Sequence, residues 1–347
     1  MRWFLMPQFF ADPADIAACQ AMLCSGSRSF FAASLLLPRH LREPATALYA
    51  FCREADDAID LGDDPSSALA YLYNRLDAAY EGEPYASPVD RAFAGVVANY
   101  QIPKLLPAAL IEGLSWDLQG RRYETLADLA DYAARVAGAV GVMMALLMGV
   151  RDAESLARAA DLGVAMQFTN IARDVGEDAR AGRLFLPQRW LAEAGIDESA
   201  LLATPQFSSA LGLVVKRLLA EADILYKRAY AGILRLPLDC RIGIAAARKI
   251  YAAIGADIAA GGYNSVTRRA RVSGYRKLAL AASALPMMLI STRQADAVAL
   301  PATQYLVDAA ALPTMEKPNS GVTILLDIFE RLERSQREAV RNQRRLA

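Results

Sequence analysis

Histidine is nearly absent from this chain: His40 is the one imidazole in 347 residues. The four cysteines, Cys19, Cys24, Cys52 and Cys240, form no CxxC pair. These two gaps exclude a zinc site of the usual nitrogen and sulfur ligands. The cysteine usage fits a reducing cytoplasm and argues against a disulfide framework. An excess of either charge is also missing, with Lys+Arg and Asp+Glu equal at 38 each. Nothing global therefore points to nucleic acid, and any attraction for anions must come from local clusters. Long apolar runs are missing too. The longest uncharged stretches, Val136–Val150 and Leu278–Thr292, fall short of the ~20 residues that a bilayer span needs, and Pro286 interrupts the second. Met1–Phe10 is apolar but broken by Pro7 and Gln8. Ile16-Ala-Ala-Cys19 resembles a lipoprotein cleavage site only superficially, because Asp12, Pro13 and Asp15 stand where an apolar run belongs.

What is present is alanine, leucine and a helical period. Ile244, Ala247, Ile250, Tyr251 and Ile254 recur at three- and four-residue spacing, and alternation of period two is scarce. Breaks are short, as at Gly62–Pro65, Gly82–Pro84 and Gly261-Gly262. With 54% hydrophobic residues the chain can bury a substantial core. The pattern predicts a single all-α domain over 1–300, a helical bundle, followed by an extension over 301–347. In that extension Leu325, Ile328, Phe329 and Leu332 make an apolar stripe beside six arginines. This predicts either a packed terminal helix or an amphipathic one lying on a membrane surface.

Two acidic clusters carry the chemistry. In Tyr49-Ala-Phe-Cys-Arg53-Glu-Ala-Asp56-Asp57-Ala-Ile-Asp60, Asp56 and Asp60 are four apart and share a helix face. In Gln167-Phe-Thr-Asn170-Ile-Ala-Arg173-Asp174-Val-Gly-Glu177-Asp178, the residues Asn170, Asp174 and Asp178 step by four again. One such run alone reads as a solvated acidic face. Two runs, each with an interleaved arginine and apolar neighbours, read as the walls of a cleft. Hard oxygen ligands with almost no histidine select Mg²⁺, with Mn²⁺ as the substitute. Carboxylates, magnesium and arginines together describe a diphosphate site. An allylic diphosphate ionises when its leaving group is neutralised. The cation must then be kept from water among apolar and aromatic walls. Aromatic candidates are Phe30, Phe31, Tyr49, Tyr132, Phe168 and Tyr251.

These residues resemble the squalene/phytoene synthase family. The likeness runs from Gly26-Ser-Arg-Ser-Phe30 and Ala47–Asp60, through Tyr132–Gly141 and Gln167–Pro187, to Ala247-Arg-Lys-Ile-Tyr251 and Thr267-Arg-Arg-Ala270. It implies an all-α isoprenoid-synthase bundle with a central cavity. By resemblance, Asp56 and Asp60 bind magnesium from one side, and Asn170, Asp174 and Asp178 from the other. Ser27, Arg28, Ser29, Tyr49, Arg53, Gln167, Arg173, Tyr251 and Arg269 contact diphosphate or position substrate. Tyr132, Gly138 and Gly141 line the prenyl channel. Arg53, Asp56, Asp60, Asp174, Asp178 and Tyr251 form the catalytic set. In some relatives a histidine stands at the place of Gly26, so that contact is missing here or is supplied otherwise.

The implied reaction is the head-to-head condensation of two geranylgeranyl diphosphates. It passes through a cyclopropylcarbinyl diphosphate, with released diphosphate as the base and no NADPH. Alternatives are a C15 head-to-head synthase and a non-catalytic scaffold or lipid-binding relative. The scaffold reading has no need of both metal-ligand sets, and both are intact here. The expected location is cytoplasmic, with peripheral contact to the inner membrane and to other carotenoid-pathway enzymes left open.

Overall fold

The computed structural model describes residues 11–26, 34–61, 65–288 and 298–312, without the side chains of residues 60–61, 65–66 and 287–288. Among the described residues there is no strand. The order is α1 (Pro13–Gly26), α2 (Arg39–Leu61), α3 (Pro65–Glu81), α4 (Pro88–Asn99), α5 (Leu105–Leu118) and α6 (Leu126–Ala133). A π-turn, Ala134–Gly138, leads into α7 (Ala139–Leu147). Then come α8 (Ala153–Arg180), α9 (Gln188–Glu193), α10 (Glu198–Ala203), α11 (Ser209–Ile233), α12 (Leu238–Ala260), α13 (Gly274–Ala282) and α14 (Gln304–Ala310). The all-α expectation holds.

Helix α8 is the axis of the bundle. Its 28 residues follow the cap Asp152, whose side chain accepts from the Ser155 N–H and so satisfies one of the orphan amides of the first turn. Helices α7, α11, α12 and α14 and the π-turn all pack on it. Close approach depends on two glycines. A Cβ on Gly163 would overlap the Ala137 carbonyl oxygen in the π-turn, and one on Gly141 would overlap that of Ala159. A glycine inside a helix costs about 1 kcal/mol against alanine. Here that cost is offset by backbone contact between α8 and the helix crossing it.

Helix α2 is anchored from behind. Arg75 on α3 is buried and donates to Asp90 on α4 (Nε–Oδ1 2.9 Å, Nη2–Oδ1 2.6 Å) and to Glu54 on α2 (Nη2–Oε2 2.5 Å). Phe51 stacks on Phe93 at 3.8 Å between ring centres. These contacts fix the back of α2 and leave Tyr49, Arg53 and Asp56 for the other side.

One compact unit extends through Ala311, so α14, which the sequence reading placed in the extension, packs on α5, α7 and α8. The basic tail with its apolar stripe lies outside the described residues. One stretch, Leu126–Leu147, is long and apolar enough to cross a membrane by length and composition, yet over half of it is buried within the bundle. Cys19 is fully buried inside α1.

Candidate active site

The first acidic motif lies on the last three turns of α2. Arg53 donates to Asp57 through Nε (3.0 Å) and Nη2, and to Asp56 through Nη1 (3.1 Å). Tyr49 lies one turn earlier, its hydroxyl pKa raised by burial and by Asp56 and Asp57 against the pull of Arg53. The helix carries Asp60, but its side chain is outside the described residues, as are Ser27, Arg28, Ser29, Phe30 and Phe31.

The second motif lies on the last turns of α8. Arg173 holds Asp174 in a two-pronged pair, Nε–Oδ1 2.8 Å and Nη2–Oδ2 2.5 Å. Arg269 reaches the same carboxylate (Nε–Oδ1 2.9 Å) and also Glu177 (Nη1–Oε2 3.2 Å). Asn170 Nδ2 donates weakly to Gln167 Oε1 at 3.4 Å. Asp178 is pushed up to about 7, first by burial and then by the neighbouring Asp174 charge.

Arg269 arrives there because of a glycine. The Gly176 N–H donates to the Ser265 carbonyl at 3.0 Å, and a Cβ at Gly176 would overlap the Val266 carbonyl oxygen. Arg180 Nη2 donates to the same Val266 oxygen at 2.6 Å. Asn264 accepts from the Val266 and Thr267 amides and so shapes the turn. The loop is thereby pinned to α8 with Arg269 over Asp174. Gly176→Ala is expected to lift this loop. If the cleft takes a prenyl diphosphate, as the resemblance implies, its Michaelis constant should rise about tenfold while far-UV helicity stays at the wild-type level. Steady-state kinetics with circular dichroism on the same sample checks both halves.

Two apolar cavities open behind the motifs. The larger, about 280 Å³, carries Gln167 and Asn170 near one end and Ser155 and Arg158 near the other. The smaller, about 100 Å³, is lined by residues of α1, α2, α7 and α12 together with Ser34. They share a wall that includes Tyr49, Cys52, Val140, Met144, Ile244 and Tyr251. The Tyr251 hydroxyl pKa is raised by burial and by Tyr49 and Asp174, against the opposing effect of Arg173. It thus senses both motifs, and the sequence reading had assigned it to the catalytic set.

Of the three expected channel residues, Gly141 is among the residues lining the two cavities, and Tyr132 lies beside the second motif, its hydroxyl pKa raised first by burial and also by Asp117 and Asp178. Tyr132 belongs to an aromatic cluster with Trp116, Tyr123 and Phe185, and its hydroxyl donates to Asp117 at 2.9 Å. Gly138 faces Val164, Thr303 and Leu306, whereas Gly141 does line the larger cavity. Three roles escaped sequence reading: the cavity walls at Cys52 and Met144, the Gly176 clamp and the charged wall at Arg158 near the far end. Of these only Gly176, a glycine inside a strong helical pattern, carried a signal.

Among the described residues no three acidic side chains converge on one point. Asp56 and Asp174 are instead neutralised by arginines. The donor set still fits a hard divalent cation. Every candidate ligand offers oxygen, and the charged form of Asp178 is disfavoured first by burial and then by the charges of Asp174, Glu177 and Asp117, against the pull of Arg183.

The squalene/phytoene synthase family model matches residues 23–276. The chain belongs to the squalene/phytoene synthase family. It is 51% identical over 320 residues to a phytoene synthase of Rhodobacter capsulatus, covering 90% of this chain and 94% of that one. It is 46% identical over 343 residues to a phytoene synthase of Cereibacter sphaeroides, covering 94% and 96%. Among solved structures it is similar to a dehydrosqualene synthase in complex with a ligand. The TM-score there is 0.73 at 31% identity, over 80% of this chain and 97% of that one. The expected bundle architecture is therefore that of the family.

Proposed function

We propose that this chain is a phytoene synthase, a prenyltransferase that condenses two geranylgeranyl diphosphates head to head in carotenoid biosynthesis. One observation carries the C20 reading. The larger cavity follows one face of α8 from Asn170 to Ser155, which is fifteen residues. At ~1.5 Å per residue that is about 22 Å, within the roughly 20–25 Å that a C20 tail needs. The smaller cavity, sharing the Tyr49–Tyr251 wall, supplies room beside it for a second tail.

Asp56, Asp60, Asn170, Asp174 and Asp178 would hold Mg²⁺, which when bound neutralises the diphosphate leaving group. Arg53, Arg173 and Arg269 each lie against a carboxylate of these motifs and are placed to turn to the substrate phosphates. Tyr49 and Tyr251 stand where the polar mouth meets the apolar cavities, so their ring faces are available to a developing allylic cation. The predominantly apolar walls keep water from that cation. Ser27, Arg28 and Ser29 complete the phosphate contacts in this reading. The released diphosphate takes the final proton, so NADPH is not required. The site is reached from the cytoplasm, with peripheral contact to the membrane that receives the hydrocarbon product.

Ser34 lines the smaller cavity, whereas Thr46 is buried and donates to the Arg42 carbonyl at 2.7 Å within α2. Ser34→Phe is expected to fill that cavity. The ratio of kcat/KM for the C20 over the C15 diphosphate should fall about tenfold, the scale of steric discrimination in an apolar pocket. Metal dependence should be unchanged. An unaltered ratio would place the second tail elsewhere.

A further inference from the structure

A charged residue lines the larger cavity one turn before its far end at Ser155. This residue, Arg158, is itself almost completely buried. Its Nε lies 3.1 Å from Asp161 Oδ2, and its Nη2 donates to the Val298 carbonyl at 3.0 Å. Asp161 has no exposed surface. It also takes Arg228 from α11 (Nε–Oδ2 2.9 Å), whose Nη2 donates to the same Val298 oxygen at 2.8 Å. On the α11 side, a Cβ at Gly232 would overlap the Arg158 Cβ, so glycine there is what lets the arginine seat against that helix.

The remaining surface of this cavity is nearly all apolar. An aliphatic floor yields when a longer tail presses on it, because side chains of that kind change rotamer at little cost. A guanidinium held by a buried carboxylate and a backbone carbonyl does not. Moving it breaks both contacts in a low-dielectric setting, and hydrocarbon offers nothing in exchange. The distance from the second motif to this floor is set by the rigid helix α8 itself: Asp174 to Arg158 is sixteen residues, about 24 Å at ~1.5 Å per residue.

We propose that Arg158 is the length gauge of the prenyl channel, a fixed floor that accepts a C20 tail and refuses a longer one. This rests on the reading of the cavity as a prenyl channel. The arginine touches only the tail's end and takes no part in the chemistry. Its removal leaves Asp161 paired with Arg228, so no buried carboxylate is stranded.

The test uses the full-length protein with Mg²⁺. Binding of non-ionising C15, C20 and C25 thiolodiphosphates is measured by calorimetry, alongside turnover of the C20 diphosphate. Wild type should bind the C20 analogue at least tenfold more tightly than the C25 one. Arg158→Ala should tighten C25 relative to C20 by about tenfold and leave the C15-to-C20 ratio within twofold. A gain for C25 below threefold would overturn the proposal. Arg158→Leu removes the charge while filling part of the space, and it gives the same readout if the alanine variant does not fold. Failure of both to fold would overturn the proposal as well, since the arginine would then serve the bundle and not the gauge. If wild type binds C20 tightly but does not turn it over, the enzymatic reading fails and the gauge is still measured.

Discussion

Asp56→Ala is expected to lower turnover of the C20 diphosphate by about 10²–10³, the usual cost of removing one preorganised electrostatic group from a reacting centre. The variant should fold as wild type, with its melting temperature within about 2 °C. The reason is local: Arg53 keeps its two-pronged contact with Asp57 when Asp56 is gone. Asp174→Ala should lose as much activity but be less stable, because Asp174 is the partner of both Arg173 and Arg269. The half-buried Arg173 would be left without it. Chelation of wild type with EDTA should reproduce the kinetic loss, and added Mg²⁺ should restore wild type alone. Activity within tenfold of wild type in either variant contradicts the assignment of these carboxylates to the metal.

Arg75→Met carries the largest expected loss of stability. Asp90 has almost no exposed surface and accepts from both Nε and Nη2 of Arg75, which also takes Glu54 of α2. Removing the arginine leaves a buried carboxylate uncompensated, at a cost of about 3–5 kcal/mol. Unfolding of a domain this size should shift down by roughly 10 °C. The effect should reach the active site as well, because Glu54 follows Arg53 on the same helix. The double variant Arg75→Met/Asp90→Leu should recover most of the stability, since it removes the stranded charge together with its partner. Thermal unfolding of the three proteins decides the matter: equal melting temperatures for wild type and Arg75→Met would show that the buried cluster does not anchor α2.

The helical class and both acidic motifs were legible in the sequence because they are periodic. Steps of four put Asp56 on one face of α2 and Asn170, Asp174 and Asp178 along α8, and period alone carries that information. The arginine at 269 was legible only through resemblance, and the reason for its position, the Gly176 contact with the loop at Ser265 and Val266, is tertiary. Gly138 shows the limit from the other side. It lies in a stretch that resembles the family's central helix, but the π-turn at Ala134–Gly138 rotates the face that follows it. Gly141 then lines the cavity while Gly138 turns to Thr303 and Leu306. A period of 3.6 does not foresee that turn. The cavity's far end is also invisible to pattern. Arg158, Asp161 and Arg228 look like ordinary surface charges in the sequence, and only packing of α8 against α11 buries the first two and brings Arg228 to them.

The most direct test of the central claim is product analysis after incubation of the purified protein with C15 and C20 diphosphates together, with Mg²⁺ and without NADPH. The account gives phytoene and inorganic diphosphate as the dominant products, with the C15 substrate largely unconsumed. Dehydrosqualene as the main hydrocarbon, or no hydrocarbon until NADPH is added, would contradict it.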